Sequence, residues 1–141
     1  MPNPTLVRCV SATHEFWYKL TGGIIGGRFG RAPILLLTTT GRKTGRPRTT
    51  PLLYYPDGEN LVVIASFGGR DEHPAWWLNL RSNLRAQVQV GRERMAVSAE
   101  KASPEEKARL WPLVCQMYPQ YHGYQKRTSR EIPVVILRPA A

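Results

Sequence analysis

The sequence is poor in cysteine and histidine, and their placement excludes several kinds of site. The two cysteines, Cys9 and Cys115, lie too far apart for a CxxC redox or zinc motif. The three histidines show no metal-ligand spacing with one another or with acidic residues. The hydrolase motif GxSxG and the zinc-protease motif HExxH are both missing. An enzyme of this sequence would therefore depend on a cofactor for its chemistry.

Long apolar runs are missing as well. No stretch approaches the roughly 20 apolar residues of a membrane-spanning helix, and the N-terminus lacks the continuous apolar segment of a secretion signal. We therefore expect a cytoplasmic protein in a reducing compartment. Its 141 residues are enough for one domain with a substantial core.

Acidic residues are scarce in the first 56 positions, where eight lysines and arginines accompany one acid, Glu15. The rest of the chain holds twelve cations and nine acids, so most of the net charge of +10 lies toward the N-terminus. Such asymmetry indicates a polyanionic partner, which can be nucleic acid, an anionic membrane surface or a phosphorylated small molecule.

The pattern after residue 32 predicts a small β-barrel with helices outside it. Short runs rich in Leu, Val, Ile, Thr and Tyr are separated by turns, and the last run is apolar at every position, as in a strand buried on both faces. Ser103 and Glu106 form a capping box around Pro104, and the helix that they start reaches about Tyr118, where Pro119 interrupts it. The predicted elements are strands at 33–40, 48–55, 60–66, 86–90, 94–99 and 132–137, and a short helix that begins at Pro74.

Residues 1–32 precede this barrel domain of residues 33–141. We interpret them as a helix, "THEFWYKL", followed by a glycine-rich segment, with the helix packed on the barrel. The alternatives are a hinge, a flap over a site and an aromatic, basic segment that rests on a membrane surface.

The most basic segment has the sequence "TTTGRKTGRPRTTPL". Residues 41–48 hold four cations, two glycines and one proline. A Walker A loop is excluded because Leu36 stands where its first glycine is needed. Gly41 and Gly45 allow backbone N–H groups to point at one anion, and arginines can grip a phosphate with two parallel bonds. The segment is therefore either a phosphate site or a solvated hairpin tip.

A second candidate is the stretch "ASFGGRDEHPAWWLNL". A strand end, two glycines and the start of a helix together make a good floor for a flat ring, because the backbone is open to a ligand and helix N–H groups are unpaired. Trp76 and Trp77 diverge by about 100° on a helix, so we expect one of them in the core and the other beside a site. The alternative is that both are core residues.

A third candidate is the tyrosine stripe of "YPQYHGYQKRTSREIP". Tyr118, Tyr121 and Tyr124 recur every three residues and would share one face of a helix within an arc of about 120°. Aromatic stripes are commonly core. Three buried hydroxyls would need partners, however, and a wall of a substrate pocket is the second reading.

Taken together, these stretches resemble the deazaflavin (coenzyme F420)-dependent nitroreductase family of mycobacteria and related actinobacteria. The resemblance covers roughly residues 33–139 and rests on "TTTGRKTGRPRTTPL", "ASFGGRDEHPAWWLNL", "LWPLV" and "YPQYHGYQKRTSREIPVVIL" in this order. It implies a split β-barrel like that of FMN-binding reductases. It also implies an oxidoreductase that transfers a hydride from F420H2 to a quinone, an enone or lactone, or a nitro compound.

The resemblance also implies the roles of individual residues. The cofactor carries a phosphate and an oligoglutamate tail, which fall to Arg42, Lys43, Thr44 and Arg48. Its ring falls to Pro51, Ala65, Ser66, Trp76 and Asn79. The acceptor falls to the catalytic set of Tyr118, Tyr121, Tyr124 and Ser66. Phe67 stands where relatives often carry a polar residue, which implies a more apolar acceptor pocket.

Two other functions stay open on the residues alone. An FMN-dependent split-barrel reductase would need phosphate contacts but no basic surface for a tail. A barrel that binds single-stranded nucleic acid would use the cations and aromatics directly. For the reductase we expect a small-molecule electrophile as substrate, no nucleic acid and no metal, and a monomer. The N-terminal segment adds a possible peripheral contact with a membrane surface.

Overall fold

The computed structural model describes residues 28–29 and 32–140, with side chains described for residues 33–140. The predicted N-terminal helix lies outside these residues. The described part holds eight strands, three α-helices and one 3₁₀ turn. The strands are β1 (Arg28–Phe29), β2 (Ala32–Thr40), β3 (Pro47–Leu53), β4 (Tyr55–Asp57), β5 (Asn60–Ile64), β6 (Arg85–Val90), β7 (Glu93–Lys101) and β8 (Val134–Pro139). The helices are α1 (Ala75–Ser82), α2 (Pro104–Met117) and α3 (Gln120–Arg127), and the 3₁₀ turn is Phe67–Gly69.

The strands form one antiparallel sheet that curls on itself. Its order is β1-β2-β6-β7-β8-β5-β4, and β3 also pairs with β2. β3 borders β2 near one end of this path and β4 forms the other end, yet Tyr54 alone separates β3 from β4 in the chain. The sheet must therefore bend until its two edges meet, which gives the predicted split barrel. Eight strands are described instead of about six, because the predicted strand 48–55 divides at Tyr54 and β1 adds two residues to the sheet.

Two apolar clusters lie on the two faces of the sheet. The inner cluster fills the barrel, and the outer cluster lies between the sheet and helices α2 and α3. Strands β5 and β8 send alternate side chains into both clusters: Leu61, Val63, Val135 and Leu137 to the inner one, and Val62, Ile64, Val134 and Ile136 to the outer one. This confirms the prediction that the continuous apolar run near the C-terminus is a strand buried on both faces.

Helix α2 starts with the predicted capping box. The Ser103 hydroxyl accepts a hydrogen bond of 3.1 Å from the Glu106 backbone N–H, and the Ser103 N–H donates at 3.0 Å to the Glu106 carboxylate. The helix ends at Met117, and α3 starts after Pro119. The predicted interruption at this proline is confirmed, since Pro119 supplies no N–H to continue the helix.

The strand pairing places two of the candidate segments at one end of the barrel. β2 pairs with β6, β6 with β7, β7 with β8 and β8 with β5, and each pair is antiparallel. β2 and β5 therefore run in the same direction, and Thr40 and Ile64 end them at the same edge, which we call the upper end. Residues 41–46, which we call the basic loop, and residues 65–74 both leave the sheet there.

Candidate functional site

The basic loop is a compact turn that depends on glycine. The Gly41 N–H donates to the Arg46 carbonyl at 2.8 Å, and the Gly45 N–H donates to the Gly41 carbonyl at 2.7 Å. A Cβ at Gly41 would lie 3.0 Å from both the Arg46 carbonyl oxygen and the Thr44 hydroxyl. Gly45 has a φ of +73°, which L side chains rarely adopt. A larger residue at either position would therefore strain the loop in this shape.

The cations at this loop carry charge that no acid neutralises within residues 33–140. Arg42, Lys43 and Arg46 are exposed, and Arg48 is half-buried at the start of β3. None of the ion pairs between described residues involves any of the four. The Thr44 hydroxyl is within 3.2 Å of the Arg46 N–H and 3.4 Å of the Arg48 guanidinium. Cations held this close repel one another, and a bound anion would relieve that repulsion.

Asn79 fastens the basic loop to helix α1. Its side chain is only 4% exposed, and its Oδ1 accepts two hydrogen bonds of 3.1 Å from Arg42, one from the backbone N–H and one from the guanidinium. Its Nδ2 donates to the Thr39 hydroxyl at 3.2 Å. Both amide atoms are thus engaged with the protein, so Asn79 orients Arg42. Its predicted contact with the cofactor ring stays a prediction.

Trp76 and Trp77 share one environment. Both are buried in the inner cluster with Leu80, so the prediction that only one of them would be a core residue is wrong. Helix α1 follows residues 65–74 and lies across the upper end of the barrel. Its buried residues, which include Asn79, cover an arc of about 160° of its surface. A face this wide accommodates two adjacent tryptophans. The role of Trp76 beside the ring stays a prediction.

The segment after β5 makes a strained turn. Ala65 and Ser66 are buried, and Phe67, which follows them, has a φ of +47° and is 41% exposed. No other described non-glycine residue has a positive φ. A bulky residue in this region costs on the order of 1–3 kcal/mol and is found where the surrounding structure enforces it. Backbone strain of this kind clusters at functional sites, so the turn is a candidate part of the site.

The strained turn packs directly on helix α3. A Cβ at Gly69 would lie 2.8 Å from the Tyr124 carbonyl oxygen and 2.9 Å from the Tyr124 Cα, and Gly69 has a φ of +81°. Only glycine satisfies both conditions. The contact joins the Ser66 segment to the helix that carries two of the three predicted tyrosines.

Arg130 ties the same turn to the segment between α3 and β8. Its guanidinium donates to three carbonyl oxygens, those of Ala65, Ser66 and Arg70, at 3.2, 2.8 and 2.8 Å. It also lies 3.3 Å from Nδ1 of His73. Our reading of the sequence missed this residue, because an arginine next to Glu131 looks like ordinary surface charge. The four partners lie 57 to 65 positions away, and no local pattern reports them.

The environment of His73 makes its neutral form more favourable. Burial lowers its pKa, and the charge of Arg130 lowers it further, with smaller contributions from Arg81 and Lys101. Because Arg130 donates toward Nδ1, the proton of the neutral ring is placed on Nε2. His73 thus accepts a hydrogen bond from Arg130 at the turn that precedes Pro74.

The three predicted tyrosines form one cluster. Ring centroids lie 4.9 Å apart for Tyr118 and Tyr121, 6.2 Å for Tyr121 and Tyr124, and 6.4 Å for Tyr118 and Tyr124. Tyr121 is 5% exposed and belongs to the outer cluster, whereas the other two are half-buried. The hydroxyls of Tyr118 and Tyr124 are 3.5 Å apart. This hydrogen bond, together with burial, raises the pKa of Tyr118 to about 12, so its phenol stays protonated and able to donate at neutral pH.

The predicted site residues fall into two connected groups. The first joins Arg42 and the rest of the basic loop to α1 through Asn79. The second joins Ala65 and Ser66 to Tyr124 through Gly69. The structure does not bring all of them together. Tyr121 and Trp76 are buried in different clusters, and Pro51 lies on β3 opposite Leu36.

Comparison with known proteins decides the family. The model of the F420H(2)-dependent quinone reductase family matches residues 10–139. The chain belongs to this family. The F420H(2)-dependent quinone reductase Rv1261c of Mycobacterium tuberculosis (strain ATCC 25618 / H37Rv) is 44% identical over 128 residues, which cover 88% of this chain and 86% of that protein. The resemblance to F420-dependent reductases is thereby confirmed.

Solved structures agree with this assignment. An F420-H2 dependent reductase (FDR-A) is 37% identical, with a TM-score of 0.70, over 75% of this chain and 94% of that chain. A domain-swapped dimer is 32% identical, with a TM-score of 0.72, over 96% and 100% of the two chains. The heme storage protein HutZ of Vibrio cholerae, at 14% identity and a TM-score of 0.60 over 87% and 92%, shares the fold alone. The predicted split barrel is confirmed.

As a member of the F420H(2)-dependent quinone reductase family, the chain is an oxidoreductase whose cofactor is coenzyme F420. The residues present fit this group. Its phosphate and oligoglutamate tail are anionic, and the basic loop offers charge that no described acid neutralises. Its ring is flat, and the upper end also carries the small buried residues Ala65 and Ser66 with glycines beside them. FMN would need the phosphate contacts but not so large a cationic surface.

Proposed function

We propose that this chain reduces quinones with F420H2 as the hydride donor. The observation that carries the proposal is the close approach of Gly69 to the Tyr124 backbone, which joins the helix that carries Tyr124 to the turn that follows Ser66. The names of the relatives support the choice of quinones as the acceptor. Exposed Phe67 at the same turn supports a flat, apolar acceptor rather than a small polar nitro compound.

In this proposal the basic loop and the start of β3 hold the anionic part of the cofactor. Arg42, Lys43, Thr44 and Arg48 bind the phosphate and the tail, and Asn79 keeps Arg42 in position. Pro51, Ala65, Ser66, Trp76 and Asn79 surround the ring. Charge-assisted hydrogen bonds are worth about 1.5–3 kcal/mol each, so the loop contributes a large part of the affinity.

The chemistry itself comes from the cofactor, and the protein positions the reactants. When bound, the reduced deazaflavin supplies a hydride and a proton, which together convert a quinone into its hydroquinone. The upper-end residues of the chain exclude water and hold the acceptor in the orientation that transfer requires. Tyr118 and Tyr124 donate hydrogen bonds to the quinone oxygen, on which negative charge develops, and Ser66 orients the acceptor.

Titration of the purified protein tests the cofactor, and steady-state kinetics test the acceptor. We expect fluorescence titration to show saturable binding of F420, with FMN and a single-stranded oligonucleotide as comparison ligands that bind weakly. We expect F420H2 oxidation to depend on an added quinone, with much lower kcat/KM for a nitroimidazole. Tight FMN binding without F420 binding would refute the cofactor assignment. Nitroimidazole turnover equal to quinone turnover would refute the choice of acceptor.

The oligomeric state and the cellular location remain to be measured. The monomer expected from the sequence stays a prediction, and the related domain-swapped dimer makes the oligomeric state a direct question for light scattering after size exclusion. No helix among the described residues is long and apolar enough to cross a membrane. The predicted surface contact through residues 1–32 lies almost entirely outside the described part of the chain. Vesicle sedimentation tests it, and the cytoplasmic location likewise stays a prediction.

A further inference from the structure

We propose that Arg130 is a positioning residue for hydride transfer, which holds the Ala65–His73 segment in the shape that the acceptor site requires. The inference rests on the proposed function for its catalytic consequence. Its structural basis is independent, because the contacts of Arg130 are made by the protein alone.

The Arg130 guanidinium binds the backbone of the turn at three points. A guanidinium carries five N–H donors in a planar fork, and Nε, Nη1 and Nη2 each reach a carbonyl oxygen of the segment. Two of those carbonyls belong to Ala65 and Ser66, the residues predicted to border the cofactor ring and the acceptor. Without Arg130, the part-buried carbonyls of Ala65 and Ser66 and the exposed carbonyl of Arg70 would lose their charged donor, and the turn would lose these contacts with the 128–130 segment.

The turn needs such long-range contacts because few of its own backbone hydrogen bonds stabilise its conformation. Phe67, Gly68 and Gly69 have φ values of +47°, +64° and +81°, so three successive residues lie in the left-handed region. Only two short-range backbone bonds support them, from the Gly69 N–H to the Ser66 carbonyl at 2.9 Å and from the Arg70 N–H to the Phe67 carbonyl at 3.2 Å. A conformation of this kind persists when long-range contacts enforce it.

Two further hydrogen bonds fix the position of Arg130 relative to the tyrosines. The Thr128 hydroxyl donates to the Asp71 carboxylate at 2.7 Å, and the Arg130 N–H donates to the same hydroxyl at 3.3 Å. Thr128 directly follows the last residue of α3, the helix that carries Tyr124. The 128–130 segment therefore sets the separation between the Ser66 segment and the phenols. Loss of the Arg130 hydrogen bonds would change the angle at which an acceptor meets the ring. We therefore expect kcat to fall more than cofactor affinity.

The first experiment compares Arg130→Lys and Arg130→Gln with Arg138→Ala. Arg138 binds Glu100 and Glu106 at 3.0 Å each, so its loss removes a comparable set of charged hydrogen bonds away from the turn. We expect both Arg130 variants to bind F420 within about threefold of the wild type and to lose 10- to 100-fold in kcat, the range that single positioning contacts give. The Arg138 variant should keep its kcat. Free guanidinium should restore part of the activity of Arg130→Gln and none in Arg130→Lys.

The second experiment needs no cofactor and separates this inference from the proposed function. In the cofactor-free protein, amide hydrogen exchange at Gly69 and Arg70 should be at least tenfold faster in the Arg130 variants and unchanged in Arg138→Ala. Unchanged exchange at both amides, or unchanged kcat in both Arg130 variants, would overturn the inference. A wild-type protein that reduces no quinone would refute the proposed function and leave the exchange measurement to decide whether Arg130 holds the turn.

Discussion

The two segments at the upper end of the barrel use arginine in opposite ways. In the basic loop the guanidinium groups are exposed and have no acidic partner within the described chain. Beneath the strained turn, Arg130 directs its donors inward to backbone carbonyls. The same side chain is therefore open to a ligand in one segment and supports the backbone in the other. Charge counts alone cannot tell these two uses apart.

Glycine shows the same contrast. Gly41 and Gly45 let the basic loop close on itself, which brings its cations together. Gly69 instead lets the turn approach another element, since its missing side chain is the space that the Tyr124 backbone occupies. In one segment glycine serves the internal closure of a loop, and in the other it serves contact with a neighbouring helix. The variants below test whether this division holds.

The largest expected effect is on the basic loop. The double variant Arg42→Ala, Lys43→Ala removes two charge-assisted contacts of about 1.5–3 kcal/mol each, so the Kd for F420 should rise by about 100-fold or more. Added salt should weaken wild-type binding in the same direction. Isothermal or fluorescence titration measures both effects. The matched control is Arg92→Ala, Arg94→Ala, which removes the same charge at the opposite end of the barrel.

This prediction would fail if the double variant bound F420 as tightly as the wild type. Equal losses in both double variants would also contradict it, because they would mean that net charge attracts the cofactor and that the loop holds no specific site.

The second effect concerns the tyrosines. Tyr124→Phe should lower kcat/KM for a quinone by roughly 10- to 1,000-fold, judging from single oxyanion donors, with little change in Tm. Tyr121 is buried among apolar side chains, and its hydroxyl makes no hydrogen bond to another described residue, so Tyr121→Phe should change the stability by less than about 1 kcal/mol and leave more of the turnover intact. Kinetics and thermal melts of each variant decide between the two roles. If Tyr121→Phe loses turnover at unchanged Tm, the sequence-based prediction of a site role for Tyr121 holds and our packing argument is wrong.

The third effect tests the contact between the turn and α3. Gly69→Ala would place a Cβ 2.8 Å from a backbone carbonyl oxygen, whereas Gly68→Ala meets nothing within 4 Å and has a similar positive φ. The strain of a positive φ should be common to both. Overpacking should lower the free energy of unfolding by a further amount of about 1–3 kcal/mol in Gly69→Ala alone, and turnover should fall in the same variant. Chemical denaturation gives the difference, and equal stabilities would show that the turn can move away from the helix freely.

Much of the fold was predictable because it follows from local rules. The capping box at Ser103, the break at Pro119 and the strand buried on both faces each need only a few neighbouring residues to be recognised. The basic loop was recognisable for the same reason. Arg130, by contrast, acts through residues far away in sequence, and the shared burial of Trp76 and Trp77 depends on how α1 lies across the barrel. Such features depend on tertiary packing, which overrides the local pattern.

The smallest expected effect is the pH dependence that His73 adds to the turn. Burial and the charges of Arg130, Arg81 and Lys101 lower its pKa in the folded protein, so below about pH 6.5 the unfolded chain binds more protons there than the folded one. The contribution of His73 to stability is therefore complete above that pH and declines as the pH falls below it. The pKa values of Asp57 and Glu106 are also lowered, from their usual 3.8 and 4.5, so the contributions of these two carboxylates decline only at lower pH. The interval from about pH 6.5 to 5 therefore separates the histidine from them.

Denaturation of the wild type and of His73→Gln across that interval should show a decline in the stability of the wild type that the variant lacks. Arg130→Gln should weaken the decline, since it removes the strongest of the three charges. An equal decline in the wild type and in His73→Gln would mean that another group titrates, and the neutral His73 would then have no part in holding the turn.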